Sequence, residues 1–361
     1  MKTTHAIRMT AAVALAAVTL TACAANEQDV PDTGTALRGE LAGSGASSQG
    51  SAQEAWQASF QKAHSAVTVN YDGGGSGAGR EAFTAGAVQF AGSDRAFKVD
   101  EIAAGAFGAC AEGSNLVELP LYISPIAVAF NLDGISELNL DAVTIARIFR
   151  GEITRWNDPA IAGLNAGVTL PDLAITPVIR SDKSGTTGNF TDYLGAVAPE
   201  AWDAGSVEEW PYPTTTHEAV SGTSGVADAL RTVGTIGYID ASRAPGSVAA
   251  VKVGDTFVRY TPEAAAAVVD ASPIEEGRSA GDIAIRLDRT TTAPGTYPIV
   301  LISYLIGCEQ YRDPAHGALV QAYFSHIASE AGQQEAAAKA GSAPISAELR
   351  TRVQSAIDRI Q

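Results

Sequence analysis

An α/β fold in two parts is what this sequence predicts, and three observations predict it. Short β-branched runs alternate with segments of helical period along the whole chain, the pattern of sheets flanked by helices. Several of those strand-to-helix junctions are Gly/Ser loops. With residues 1–22 set aside as leader, 339 of the 361 residues remain, more than a single hydrophobic core usually spans. Hydrophobic residues at 46% and aromatics at 7% make the chain foldable, Ala/Gly-rich rather than disordered.

The first residues set the compartment. Lys2 and Arg8 precede an apolar run from Ala11 to Leu20, followed by Leu20-Thr21-Ala22-Cys23. A charged start, a short apolar stretch and small residues before a cut read as an export signal, too short to span a bilayer. Its end resembles a bacterial lipobox, in which Cys23 becomes the lipid-modified N-terminus. Residues 1–22 are then leader, and 23–36, polar and aperiodic, a flexible tether. Export to an oxidising compartment leaves Cys110 and Cys308 as an even pair, expected to form a disulfide. Neither lies in a CxxC, and the five histidines show no ligand-like spacing, so neither a metal site nor a cofactor is expected.

The net charge is −16, and removing the leader's two cations takes it to −18. That excludes nucleic acid as a partner and electrostatic docking on anionic lipid, leaving the lipid anchor as the only membrane attachment. An anionic ligand must be held here by local dipoles and hydroxyls, which act inside a screening distance of about 10 Å.

Taken in order, Leu37–Ala42 reads as a strand, Gly43–Ser48 as a loop, and the next helix places Ala52, Trp56, Phe60 and Ala63 on one face. Ser59-Phe60-Gln61-Lys62 fits S-x-x-K but has no companion motif and is read as a solvated face. Val67–Tyr71 alternates as a strand before Gly73–Gly79, with a helix from Arg80. Gly73, Gly75 and Ala78 make a loose dinucleotide fingerprint with Asp94 downstream, set aside because export removes access to the cofactor. Ala87–Ala91 is a buried strand ending in Gly92-Ser93-Asp94-Arg95, where Asp94 by itself is a cap candidate. Leu121–Phe130, extended with Pro125 inside, is a candidate crossover between domains. Asp141–Phe149 is a helix, and Asp158-Pro159 starts another. Ser221–Val226 begins a helix, Gly234–Ile239 ends in a strand, Tyr297–Ile302 is a second crossover, and Ala315–Ile327 and Ser346–Ile360 close as helices.

The richest stretch is Arg180–Asn189. The β-branched run Ile175–Ile179 leads into it, and Phe190, Tyr193 and Leu194 follow at helical spacing. A loop between a strand's carboxyl end and a helix's amino end is where ligands bind in open α/β sheets, and the free N–H groups there suit an anion. Ser184 and Thr186 add hydroxyls, Gly185 admits a ligand to the backbone, and Arg180 brings a planar charged fork.

These segments together, Gly43–Ser47, Asn70-Tyr71 with Gly75–Gly77, Gly92–Asp94, Ile145–Pro159, Arg180–Thr186, Gly222–Val226 and Gly234–Tyr238, resemble the phosphate-binding proteins of bacterial Pst-type ABC importers in their actinobacterial lipoprotein form. The likeness runs in order through nearly all of the mature chain. It implies a type II periplasmic-binding-protein fold, α/β throughout, with mixed sheets, flanking helices and a hinged cleft. Lobe one would hold 37–121 with 298–361, and lobe two 122–297. It further implies capture of inorganic phosphate by a monomer that passes it to ABC permease subunits. Carried over by position, Ser47 gives hydroxyl and amide, Ser48 its amide, Ser76 a hydroxyl and Asp94 the lone acceptor. Arg180, Ser184, the Gly185 amide and Thr186 face them, with Asp182 holding Arg180. The family often has Phe where Ser48 stands, which implies a wetter site. A binding protein for sulfate or another oxyanion is the nearest alternative. A secreted phosphatase would need Ser47, Ser76 or Ser184 as nucleophile, without GxSxG or a neighbouring histidine.

Overall fold

The structure is a computed structural model that describes residues 37–213 and 215–361; the leader, the tether and Cys23 lie outside the described residues. The chain opens with β1 (Gly39–Gly45), a 3-10 turn at Ser47–Gln49, α1 (Gly50–Ala63), β2 (Val67–Asp72), α2 (Ser76–Ala85), β3 (Phe90–Ser93) and α3 (Val99–Ala104). β4 (Leu116–Phe130) follows, then β5 (Asn139–Leu140), α4 (Ala142–Phe149), α5 (Pro159–Leu164), β6 (Thr176–Arg180), α6 (Gly185–Val197), β7 (Glu218–Val220), α7 (Gly222–Ala229) and β8 (Thr235–Asp240). After β9 (Ser247–Val248), β10 (Ala250–Val253) and β11 (Thr256–Val258) come α8 (Pro262–Ala271), β12 (Val300–Cys308), α9 (Pro314–Ala328), α10 (Glu330–Ala340) and α11 (Ala347–Ile357).

Among the described residues the main sheet runs β2-β1-β3-β12-β4-β8-β6-β7, with β9 beside β4, and a small sheet runs β11-β10-β5. β4 organises the molecule. All fifteen of its residues are buried; Leu116–Pro125 pairs antiparallel with β12, and Ile126–Phe130 pairs with β8. One strand thus belongs to both halves of the sheet, and β12 accompanies it at the crossing. Burial on both faces removes the polar alternation of a half-exposed strand, so an uninterrupted apolar run is what such a position requires. The expected crossover at Leu121–Phe130 is there, starting five residues earlier.

Aromatic side chains gather on each side of the crossing within one continuous core. Trp56, Phe60, Phe83, Phe90, Tyr323 and Phe324 fill one side, under α1, α9 and α10. Phe149, Phe190, Trp202 and Tyr238 fill the other, where Phe190 stacks on Tyr238 at 4.4 Å between ring centres. Ala63, expected on the buried face of α1, is exposed, because the helix ends there. The helix starts read from sequence hold: Asp141 accepts from Thr144 N–H, and Asp158 caps a helix with Pro159 in its first turn. Ser59 is not on a solvated face: its hydroxyl contacts His326 Nε2 at 2.8 Å and Glu335 Oε2 at 2.6 Å, under α9 and α10.

Between α8 and β12 the chain returns to the start of β4, where Ile283 N–H donates to Glu118 O at 3.0 Å. Cys110 and Cys308 form a disulfide, with Cα atoms 5.4 Å apart and a sequence separation of 198. No helix among the described residues is long and apolar enough to cross a membrane.

Candidate functional site

Four helix N-termini point at one place, where the two halves of the sheet meet. The turn Ser47–Gln49 into α1 and the start of α2 come from the first half; the starts of α6 and α7 come from the second. Each follows the carboxyl end of a parallel strand, β1, β2, β6 and β7, which is why the free N–H ends converge. The structure brings together all of the sequence-predicted ligand residues: Ser47, Ser48, Ser76, Asp94, Arg180, Ser184, Gly185 and Thr186.

Ser47 Oγ accepts from Arg180 Nη2 at 3.1 Å and from Thr223 N–H at 3.1 Å, and meets Thr223 Oγ1 at 3.0 Å. Arg180, at the end of β6 and 4% exposed, is gripped by Asp182: its Nε donates to Oδ1 at 2.7 Å and its Nη2 to Oδ2. Asp182 Oδ1 also accepts Gly222 N–H at 3.0 Å, so the carboxylate is fixed from two elements. With Nε and Nη2 committed, Nη1 is the guanidinium nitrogen that has no hydrogen-bond partner among the described residues. Ser184 caps α6, accepting Thr187 N–H at 3.2 Å, which leaves its own proton free to donate outward.

Asp94 lies at the centre, 3% exposed. Its N–H donates to Ser76 Oγ at 3.1 Å. Its Oδ1 accepts from Ser48 Oγ and Ser303 Oγ, both at 2.6 Å, and its Oδ2 from Thr186 Oγ1 at 3.1 Å. Burial pushes the carboxyl above its ordinary range, while these three hydroxyls and the Arg180 charge pull the other way. The expectation that Ser48 serves through its amide is therefore incomplete: its hydroxyl holds Asp94.

Glycines make the approach possible. A Cβ on Gly185 would stand 2.5 Å from Ser76 Oγ and 2.6 Å from Asp94 Cβ. One on Gly75, whose φ is +108°, would stand 2.6 Å from Asp182 Oδ2. Any side chain at either place would hold the halves apart. Ion pairs cross the same boundary. Glu208 Oε2 accepts from Arg80 Nη2 at 2.5 Å and from Arg95 Nε at 3.1 Å, and Lys183 Nζ meets Glu81 at 3.1 Å. Beside Asp94 and Gly185 a cleft of about 900 Å³ opens.

Sequence reasoning missed Thr223, Ser303 and Asn189, whose Nδ2 donates to Asp94 O at 2.7 Å. Thr223 stood in a Gly/Ser-rich helix start like the others and was legible by the same rule. Ser303 sits inside the apolar run of β12 and gave no signal. Chemically, the site offers hydroxyl, amide and guanidinium donors around one carboxylate, an arrangement for a tetrahedral oxyanion that itself carries a proton.

Residues 30–331 match the family described as "PBP superfamily domain". The chain is 35% identical over 328 residues to phosphate-binding protein PstS 3 of Mycobacterium tuberculosis, covering 89% of this chain and 86% of that one. It is 34% identical over 334 residues to phosphate-binding protein PstS2 of Mycobacterium bovis, at 89% and 87% coverage. Among solved structures it superposes on PfluDING, a high-affinity periplasmic phosphate-binding protein bound with phosphate, with a TM-score of 0.71 at 21% identity over 88% of this chain and 93% of that one. Another match is a phosphate-binding protein from Stenotrophomonas maltophilia, TM-score 0.65 at 20% identity, covering 88% and 93%. The chain belongs to the PBP superfamily and, within it, to the family of the PstS phosphate-binding proteins.

Proposed function

We propose that this protein captures inorganic phosphate outside the cytoplasm and delivers it to the permease subunits of an ABC importer. In this reading it is a monomer held at the outer face of the cytoplasmic membrane by a lipid on Cys23, and it performs no chemical step. The observation that carries the reading is the buried carboxylate of Asp94, held by the hydroxyls of Ser48, Thr186 and Ser303 where four helix starts meet. The hydroxyls of Ser47, Ser76, Ser184 and Thr186, the amides of Ser47, Ser48 and Gly185, and Arg180 Nη1 surround the anion. Asp94 takes the anion's proton. Thr186, which donates to Asp94 Oδ2, can turn its proton to a bound oxygen and free that lone pair for the ligand's O–H. Monohydrogen phosphate has such a proton and sulfate does not.

Lobe one, 37–121 with 298–361, and lobe two, 122–297 apart from the stretch around Ile283 that packs on the start of β4, close on the ligand about β4 and β12. The pairs across the boundary, Glu208 with Arg80 and Arg95 and Lys183 with Glu81, support closure. The names of the PstS relatives agree with the ligand. Among the described residues no histidine hydrogen-bonds Ser47, Ser76 or Ser184, so none has the base that a nucleophilic serine needs. Calorimetric titration with phosphate and with sulfate at neutral pH tests the reading: tight, saturable phosphate binding is expected. Hydrolysis of a chromogenic phosphomonoester, or no phosphate uptake, would overturn it.

A further inference from the structure

Behind Asp94 a directed chain of hydrogen bonds runs through the core of the first half of the sheet. Tyr323 OH on α9 donates to Gln53 Oε1 at 2.8 Å, and Gln53 Nε2 donates to Gln49 Oε1 at 3.0 Å. Gln49 Nε2 donates to Ser303 Oγ at 2.6 Å, and Ser303 donates to Asp94 Oδ1 at 2.6 Å. No member is more than 3% exposed. The direction is forced. Gln49 Nε2 also faces Tyr304 O at 3.3 Å, and a backbone carbonyl only accepts, so the amide cannot be reversed. Ser303 already accepts from Gln49, so its one proton goes to Asp94.

Ser48 supplies a second donor to the same Oδ1. An oxygen accepting two short hydrogen bonds has no room for a proton of its own. Protonation of Asp94 is then confined to Oδ2, the side of Thr186 and Gly185. We propose that Ser48, Ser303 and Gln49 are positioning residues for anion selection. They keep Asp94 an ionised acceptor with Oδ2 as its ligand-facing oxygen, and they set the acidity at which the site stops rejecting an unprotonated anion. This deepens the phosphate reading and rests on it.

The other groups facing Asp94 act in both directions. Arg180, at the end of β6, favours its charged form. Asp240, at the end of β8, opposes it, and the buried phenol of Tyr71 on β2 stays neutral beside it. The donors on Oδ1, Ser303 and Ser48, are the largest of the pulls toward the carboxylate, ahead of Thr186 and the Arg180 charge, in a site whose burial works against it.

The experiment is sulfate calorimetry across pH, with wild type, Ser303→Ala, Ser303→Thr and Gln49→Met, each checked for folding by circular dichroism. Wild type is expected to take sulfate only in acid, once Asp94 can donate. Ser303→Ala moves that onset upward by about one pH unit, a tenfold change in proton affinity. Ser303→Thr restores the wild-type onset, and Gln49→Met moves it in the same direction as Ser303→Ala but less. If Ser303→Ala does not fold, Gln49→Met decides alone. An onset that stays put in the folded variants, or equal weakening of phosphate and sulfate at every pH, overturns the relay while leaving the phosphate reading standing. A wild type that takes up no phosphate overturns both.

Discussion

Asp240 offers a test of the crossing region that does not depend on the ligand. It closes β8 beside β4, wholly buried, and its Oδ1 accepts from Tyr122 OH and Ser242 N–H, both at 3.0 Å. Its Oδ2 has no partner among the described residues. Burial, with the charge of Asp94 adding to it, pushes its carboxyl up to about 6. Below about pH 4 the folded and unfolded chains both hold this proton, and the group costs the fold nothing. As the pH rises through about 4 the unfolded chain ionises while the folded one stays neutral, so stability falls until the folded group ionises too, near 6. A displacement of about two pH units corresponds to about 3 kcal/mol, lost across that window and missing at every higher pH. Asp240→Asn keeps the Oδ1 acceptor and cannot ionise. Urea unfolding of both proteins from about pH 4 to about pH 8 should show the variant gaining on wild type by up to about 3 kcal/mol as the pH rises. A difference that stays flat with pH, or one that grows toward acid, would refute the reasoning.

The remaining perturbations act on the disulfide and on the boundary between the halves. Reducing Cys110–Cys308 opens a loop with a sequence separation of 198 residues, so the entropic loss is up to about 5 kcal/mol; a melting temperature unmoved by reductant would contradict it. Gly185→Ala puts a methyl 2.5 Å from Ser76 Oγ, so phosphate affinity should fall at least roughly a hundredfold, about 3 kcal/mol, while circular dichroism stays native. Binding within a few-fold of wild type would show that the halves need not approach so closely. Glu208→Gln removes the charge that Arg80 and Arg95 share; phosphate titration should show roughly tenfold weaker binding, about 1.4 kcal/mol, and unchanged affinity would mean the tie does not act in the bound state.

Much of the fold was legible because its signals are local. Asp158-Pro159 announced a helix start, and the extended apolar runs Leu121–Phe130 and Tyr297–Ile302 marked the crossing strands, although β4 starts earlier, at Leu116, and β12 starts at Val300 and runs on to Cys308. α10 was not legible. Its buried face is Gly332, Ala336 and Ala340, small residues that let it lie close to α1, together with the polar Gln333, and they give no apolar period. The loops after β1 and β2 came out shorter than expected, since β1 runs on to Gly45 and α2 begins at Ser76. Glycine tolerates strand and helix alike when its backbone is paired, and composition alone could not place those ends. In the site, strand-loop-helix junctions marked the donors. Asp94 gained its meaning only from the resemblance, because an Asp after a strand is more often a cap. Gln49, Gln53 and Ser303 are polar residues fully enclosed in a core, and nothing local distinguishes such residues from surface ones.

The central claim is that Asp94 selects an anion that carries a proton, and sulfate competition against bound phosphate tests it most directly. In wild type at neutral pH the carboxylate meets a bare sulfate oxygen, an unmade bond plus repulsion worth about 4 kcal/mol, or roughly a thousandfold preference for phosphate. Arg180→Ala should weaken both anions, since it removes an attraction that both share. In Asp94→Asn the amide oxygen stays under the Ser48 and Ser303 donors and the NH2 takes the place of Oδ2, so sulfate gains a donor, phosphate loses the acceptor of its proton, and the preference should narrow from both sides. If wild type binds sulfate as tightly as phosphate, or if Asp94→Asn leaves the ratio where it was, Asp94 is a cap and the account fails.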